Sequence, residues 1–146
     1  MLTIQRLDHT TLRSYLLLVK PALRKQLLEQ IADPRLYVWG ASFWEQPAGA
    51  AVVAMGSSAD LLDLYVLPAY RRAGLATQLL ATIETTLRQN AIAEIQARYR
   101  QDEHTEGWTR LLAKVGWNPP VRNSIIFWTS RTSRGAQWVA RYQFRP

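Results

Sequence analysis

The spacing of the apolar residues changes abruptly at Gly74, and no other feature of the chain restricts its fold as strongly. Before it, Leu61 to Leu67 is a short run of strand-forming residues. After it, Leu75, Leu79, Ile83 and Leu87 recur every four residues with Leu80 beside them, which predicts a helix to about Asn90. Ile92 to Tyr99 returns to strand length, and a single intervening helix suits a strand parallel to the first. A strand-helix-strand unit needs a sheet for its helix to lie on, so the chain reads as an α/β domain on a mixed sheet.

The flanking segments extend that sheet. Leu2 to Leu7 reads as a first strand, and Asp8 can cap a helix carrying Leu12, Tyr15, Leu16 and Val19 on one face. Pro21 ends that helix and opens a second, with Leu23, Leu27 and Ile31, which stops at Asp33-Pro34. Leu36 to Phe43 and Gly49 to Met55 read as strands joined through Glu45-Gln46-Pro47, and with Leu61 to Leu67 they form an antiparallel meander. Asp102 can cap a further helix with Trp108, Leu111, Leu112 and Val115 on one face and Gly116 as its stop. Two late strands, Ser124 to Thr129 and Ala136 to Phe144, complete the order β-α-α-β-β-β-α-β-α-β-β.

A chain of 146 residues has room for one ordinary domain, taken here as residues 1–146. It contains no cysteine, which excludes disulfides, Cys-ligated zinc and a thiol nucleophile. The run Leu16-Leu17-Leu18-Val19 is too short to span a membrane and lacks the basic start of a signal peptide, so the expected location is cytoplasmic with no membrane partner. The net charge of +7 is concentrated at one end. Lys and Arg balance Asp and Glu up to Glu106, whereas Arg110, Lys114, Arg122, Arg131, Arg134, Arg141 and Arg145 follow with no acid among them. That asymmetry favours an anionic partner.

The chemistry lies in Leu64-Tyr65-Val66-Leu67-Pro68-Ala69-Tyr70-Arg71-Arg72-Ala73-Gly74-Leu75-Ala76-Thr77, which runs from strand through loop into helix. The first turn of a helix leaves N–H groups unpaired beside about half a positive charge, so an anion is favoured there if nothing bulky intervenes. Gly74 and Ala76 keep the approach open, Arg71 and Arg72 add cationic donors, and Thr77 adds a hydroxyl. The spacing is neither that of a mononucleotide P-loop nor that of the three-glycine dinucleotide fingerprint.

Arg71-x-x-Gly74-x-Ala76, with Leu-Tyr-Val-x-Pro before it and an amphipathic helix after it, resembles the acetyl-CoA motif of the GCN5-related N-acetyltransferases. Lys114-Val115-Gly116-Trp117 at the end of the next helix is a second match, and the order of elements is similar over most of residues 1–144. The resemblance implies a GNAT-like α/β fold: a mixed, mostly antiparallel sheet whose central parallel pair is splayed at the acetyl-CoA site, flanked by four helices. It implies acetyl-CoA as co-substrate. Pantetheine would pair with the backbone of Leu64, Tyr65 and Val66, and the pyrophosphate would lie on the amides of Arg72, Ala73, Gly74, Leu75, Ala76 and Thr77, with Arg71 at the loop mouth. The implied activity is direct acetyl transfer to a primary amine of a small molecule or protein. No metal is assigned, because the acids of Asp102 to Glu106 suit a helix start.

An alkylamine has an ordinary pKa of about 10.4, so presenting it neutral at pH 7 costs roughly 4 to 5 kcal/mol and a base matters. By the resemblance, Asp60 stands where a strand glutamate serves as base in part of the family. Asp63 resembles an acid found before Leu-Tyr-Val in small-amine acetyltransferases, and it would bind a cationic acceptor or pair with an arginine. Regular alternation places 60, 62 and 64 on one face and Asp63 on the other. The family's tyrosine acid is replaced by Leu112, which leaves Tyr65, Tyr70 and Tyr99 as substitutes. Two other readings stand beside this one. Trp128 and Trp138 among the late arginines suit a single-strand nucleic-acid surface, a partner disfavoured beside the CoA motif, and the missing tyrosine suits an acyl-CoA sensor. The last strand, as a sheet edge, offers a route to a homodimer.

Overall fold

The computed structural model describes residues 1–71, 73–100, 105–117, 121–123 and 137–143. The strands are β1 (Leu2–Arg6), β2 (Leu36–Phe43), β3 (Gln46–Met55), β4 (Ala59–Val66), β5 (Glu94–Arg100), β6 (Val121–Asn123) and β7 (Gln137–Gln143). They form one seven-stranded sheet in the order β1-β2-β3-β4-β5-β7-β6. β4 and β5 are parallel and the other neighbours antiparallel. Three α-helices, α1 (Pro21–Gln30), α2 (Leu75–Gln89) and α3 (Thr105–Lys114), and a 3-10 helix over Leu12–Leu18 accompany the sheet. This is the expected mixed sheet with its parallel pair and four helices. The expected strand Ser124 to Thr129, the Asp102 cap and the late arginines Arg131, Arg134 and Arg145 lie outside the described residues.

Each face of the sheet carries its own core. Leu75, Leu79, Ile83 and Leu87, the four-residue repeat of α2, are at most 1% exposed and pack with Val53, Leu61, Leu64 and Val66 of the strands beneath. The opposite face buries Leu12, Tyr15, Leu18 and Leu27 with Val38, Ala50 and Val52. A side chain on β4 therefore belongs to the α2 face or to the α1 face, and which one decides what it can do.

Two local expectations are corrected. The segment after Asp8 is a 3-10 helix, not an α-helix, and it buries Leu12, Tyr15 and Leu18, three residues apart, while Leu17 is 84% exposed. Three residues per turn align that set, and Pro21, which lacks an N–H, prevents the coil from running on. Arg24 supplies donors to the carbonyls left at its end, with Nε 2.8 Å from the Leu16 oxygen and 3.0 Å from the Val19 oxygen. Asp8 accepts from the hydroxyl and N–H of Thr10 and the N–H of Thr11, contacts that hold its carboxyl well below the ordinary range.

The β2–β3 connection is tighter than expected. Phe43 pairs with Gln46, so the turn is Trp44-Glu45, with φ of 49° and 70°. Two positive φ angles match the twist of a hairpin, at the expense of placing two non-glycine residues in the left-handed region. Trp44 is 78% exposed at this tip, whereas Trp39 and Trp117 are core residues. No helix of the described residues is long and apolar enough to cross a membrane.

Candidate functional site

The parallel pair is short. Ala59 pairs with Ile95, Asp60 with Gln96 and Leu61 with Ala97, and there the register ends, although β4 continues to Val66 and β5 to Arg100. Past Leu61 the strands part, so β4 is bonded to β3 alone and its backbone polar groups on the β5 side have no strand partner. Leu64, Tyr65 and Val66 lie along this gap.

The loop at the head of β4 leads into α2 through Gly74, whose φ of 76° lies in the left-handed region. A side chain there would be strained by the backbone alone, while a Cβ would meet nothing within 4 Å. The glycine is thus required by conformation, and the space above it is open. No side chain caps α2, and its first intrahelical bond runs from the Gln78 N–H to the Gly74 oxygen at 3.0 Å. The amides of Leu75, Ala76 and Thr77 precede it, as in any helix start. Leu75 is 1% exposed and fixes the start of the helix on the sheet over Gly49, where a Cβ would come within 2.9 Å of the Tyr65 oxygen.

The remaining loop residues are placed as follows. Ala73 and Gly74 are exposed, Ala76 and Thr77 half-buried. Arg71 is exposed, its Nε donates to the Val66 oxygen at 2.9 Å, and its guanidinium carbon lies 5.5 Å from the Tyr65 ring centroid. It therefore ties down the end of β4 as well as adding charge. Tyr70 stacks on Phe43 with centroids 5.1 Å apart. Arg72 lies outside the described residues. From Thr77 a cleft of about 190 Å³ runs between α2 and the end of α3, past Leu80 and Ile83 to Val115 and Trp117.

The two candidate acids are not on opposite faces, which corrects the alternation expected from sequence. Val52 pairs with Asp63 and Val53 with Leu61, so Leu62 is an extra residue in β4, a β-bulge. The extra residue resets the alternation: Leu61 and Leu64 both enter the α2-side core, and their neighbours Asp60 and Asp63 both face the α1 side. Tyr65 and Leu67 pack with the α1-side cluster, so Tyr65 shares the face of the two acids.

Their environments differ. Asp60 is half-buried and its Oδ1 accepts from Gln96 Nε2 at 2.6 Å. Asp63 is 6% exposed, and its Oδ2 accepts from the backbone N–H of Lys20 at 2.8 Å, while Lys20 Nζ donates to the Leu62 oxygen at 3.1 Å. Burial pushes the Asp63 carboxyl above its ordinary value, and the Lys20 N–H, the Lys20 charge and the Leu64 N–H pull part of that back. Lys20 thus fastens the segment before α1 to the bulge. The expected arginine partner of Asp63 is absent among the described residues.

Leu112 is 2% exposed within the α2-side core, a position for packing rather than for proton transfer. Of the tyrosines that could replace it, Tyr65 lies on the acid-bearing face, Tyr70 is stacked in the loop, and the Tyr99 side chain lies outside the described residues. Among the described residues no group of three His, Asp or Glu side chains could hold a metal. Sequence reasoning missed Gln96 and Lys20. Gln96 carried a faint signal, a polar residue between Ile95 and Ala97, while Lys20 showed only as the residue before Pro21.

With this geometry in place, residues 4–117 match the family described as Acetyltransferase (GNAT). The chain belongs to this family. Solved GNAT-fold structures agree over nearly the whole chain. The ribosomal-protein-S18-alanine N-acetyltransferase from Escherichia coli is 19% identical with a TM-score of 0.78, covering 100% of this chain and 96% of that one. The PaiA N-acetyltransferase from Thermoplasma acidophilum, in complex with coenzyme A, is 13% identical with a TM-score of 0.73, covering 99% of each chain. A GNAT acetyltransferase from Elizabethkingia anophelis with acetyl-CoA bound is 14% identical with a TM-score of 0.73, covering 98% of each. At such identities the likeness is one of fold. No curated protein sequence matches the chain.

Proposed function

We propose that this GNAT domain is an acetyl-CoA-dependent N-acetyltransferase that moves the acetyl group directly to a primary amine of a small molecule or protein. The observation that carries the reading is the parting of β4 from β5 beside an uncapped helix start that opens on a left-handed glycine. An extended donor bearing amides and a pyrophosphate finds there strand backbone that β5 does not pair, the amides of Leu75, Ala76 and Thr77, and open space over Gly74. The CoA and acetyl-CoA carried by two of the structural neighbours support the same donor.

Acyl transfer from a thioester to an amine requires the nitrogen to lose a proton and the departing sulfur to gain one. Asp60 is the proton acceptor in this reading, because it is the less buried of two carboxylates on one face and keeps Oδ2 without a hydrogen bond among the described residues. Asp63 holds the bulge that shapes the gap. Tyr65, on the same face, is the proton donor. Leu64, Tyr65 and Val66 bind the donor's arm through their backbone. Arg71 and Arg72 add charge near the pyrophosphate, and Ala73 and Ala76 keep the loop narrow.

Calorimetric titration with acetyl-CoA tests the donor half. Wild type is expected to bind stoichiometrically. Gly74→Ala should still bind while losing about 1 kcal/mol of stability to the left-handed backbone. Gly74→Glu should lose binding beyond detection, because it adds bulk and negative charge over the helix start. A wild type that fails to bind, or a Gly74→Glu protein that binds as wild type does, would overturn the assignment.

A further inference from the structure

The bond between Asp60 and Gln96 stands at a particular place. The two residues are register partners in the three-residue parallel pair, one step before β4 and β5 part. Gln96 comes from β5, on the far side of the gap, and lies between Ile95 and Ala97, which are buried in the α2-side core. Its amide is thus held by rigid strand backbone, which confers more precision than a loop does. The contact is a charge-assisted N–H donation of 2.6 Å to one carboxylate oxygen, Oδ1.

We propose that Gln96 is a positioning residue for Asp60: its amide fixes Oδ1 across the foot of the gap and leaves Oδ2 as the oxygen that receives a proton. The inference rests on Asp60 being the proton acceptor. A carboxylate on a free side chain samples several rotamers, whereas one tied across two strands presents a single oxygen in a fixed direction.

Charged residues stand on the elements beside Asp60. Asp63 shares its face on β4, and Lys20 is bonded to Asp63 and to the Leu62 oxygen. Ala54, its partner on β3, is uncharged. On β5, Glu94 and Arg98 flank Gln96 two positions away on either side, and Arg141 is the register partner of Gln96 on β7. The donor to Asp60 among the described side chains is Gln96.

The test is the steady-state rate of acetyl transfer from acetyl-CoA to a primary alkylamine, with calorimetric acetyl-CoA affinity beside it, in wild type, Gln96→Leu, Gln96→Glu and Asp60→Asn. Gln96→Leu removes the donor and is expected to lower kcat by about tenfold or more with KM for acetyl-CoA and its affinity unchanged. Gln96→Glu keeps the length but replaces the donor by a second carboxyl, and is expected to lose kcat at least as far, again with affinity unchanged. A Gln96→Leu protein with wild-type kcat, where Asp60→Asn is impaired, overturns the proposal. So does a Gln96→Leu protein that loses acetyl-CoA affinity with kcat unchanged, since that would make the bond a strap between the strands. Failure of the underlying reading looks different: Asp60→Asn would then transfer acetyl groups at the wild-type rate.

Discussion

β4 has two neighbours from Ala59 to Leu61 and one from Leu62 to Val66, and the carboxylate in each half is held differently. In the closed half Asp60 is half-buried and bonded to a side chain of the opposite strand. In the open half Asp63 is 6% exposed and bonded to main chain arriving from before α1. Under the proposed function, that contrast assigns proton exchange with a ligand to Asp60. A base needs an oxygen that the substrate nitrogen can reach, whereas a buried carboxylate fastened to backbone acts on the shape of the strand. The bulge at Leu62 makes the contrast possible, because it brings both acids to one face and leaves their environments as the only thing that separates them.

Neutralising each acid in turn separates the two roles. Asp60→Asn is expected to lower kcat with acetyl-CoA and a primary amine by about 10²- to 10⁴-fold, the range of general-base contributions, with donor affinity unchanged. Asp63→Asn is expected to change kcat by less than about tenfold, because an amide oxygen can still accept from the Lys20 N–H. Steady-state rates and calorimetry decide it. Comparable losses in the two proteins, or a larger loss for Asp63→Asn, would reverse the roles.

Lys20 touches Asp63 and the bulge but not Asp60 among the described contacts. Its φ of −47° and the extended Val19 before it admit proline, so Lys20→Pro removes one N–H and the side chain with little change of backbone. The buried carboxylate then keeps only the Leu64 N–H among its described donors, and urea unfolding should show a loss of about 1–3 kcal/mol. Lys20→Met keeps the N–H and loses the exposed Nζ bond to the Leu62 oxygen and the charge near Asp63, an expected change below about 1 kcal/mol. Equal effects would mean that the ammonium, not the main chain, fastens the bulge.

Much of the fold can be read from residue spacing, and the places where the reading fails have a common cause. The four-residue repeat of Leu75, Leu79, Ile83 and Leu87 announces α2 because one helix face does nearly all of its packing. Gly116 ends α3 in a left-handed conformation, with φ of 92°, that its residue type suggests. Leu12, Tyr15, Leu16 and Val19 fit an α-helix equally well on paper, and only burial of Leu18 selects the 3-10 form. The site divides in the same way. The loop from Pro68 to Thr77 is local, and its residue types are enough to lead to the proposed anion site. The faces of Asp60 and Asp63 depend on a bulge that neither Leu62 nor its neighbours signal, since a bulge is a relation between two strands. Gln96 and Lys20 meet their partners across 36 and 43 positions, a relation that exists only once the strands are paired.

The smallest expected effect concerns the pH dependence of stability. Burial raises the Asp63 carboxyl above its ordinary value of 3.8, so the folded chain keeps that proton at a pH where the unfolded chain has lost it. Asp63 therefore contributes most to stability below about pH 4, and that contribution is lost as pH rises through the raised value, after which the curve is flat. Asp8 and Asp33, whose carboxyls are lowered, work in the opposite sense, but they are present in wild type and in Asp63→Asn alike and cancel in the difference. Stability of wild type minus that of Asp63→Asn, measured by urea unfolding from pH 3.5 upward, should fall with rising pH and then level off. The fall is small, because the N–H groups of Lys20 and Leu64 and the charge of Lys20 already favour the ionised form. A difference that rises with pH instead would make Asp63 an ionised group stabilised by its partners, and a charged carboxylate in the open half of β4 would then compete with Asp60 for the role of base.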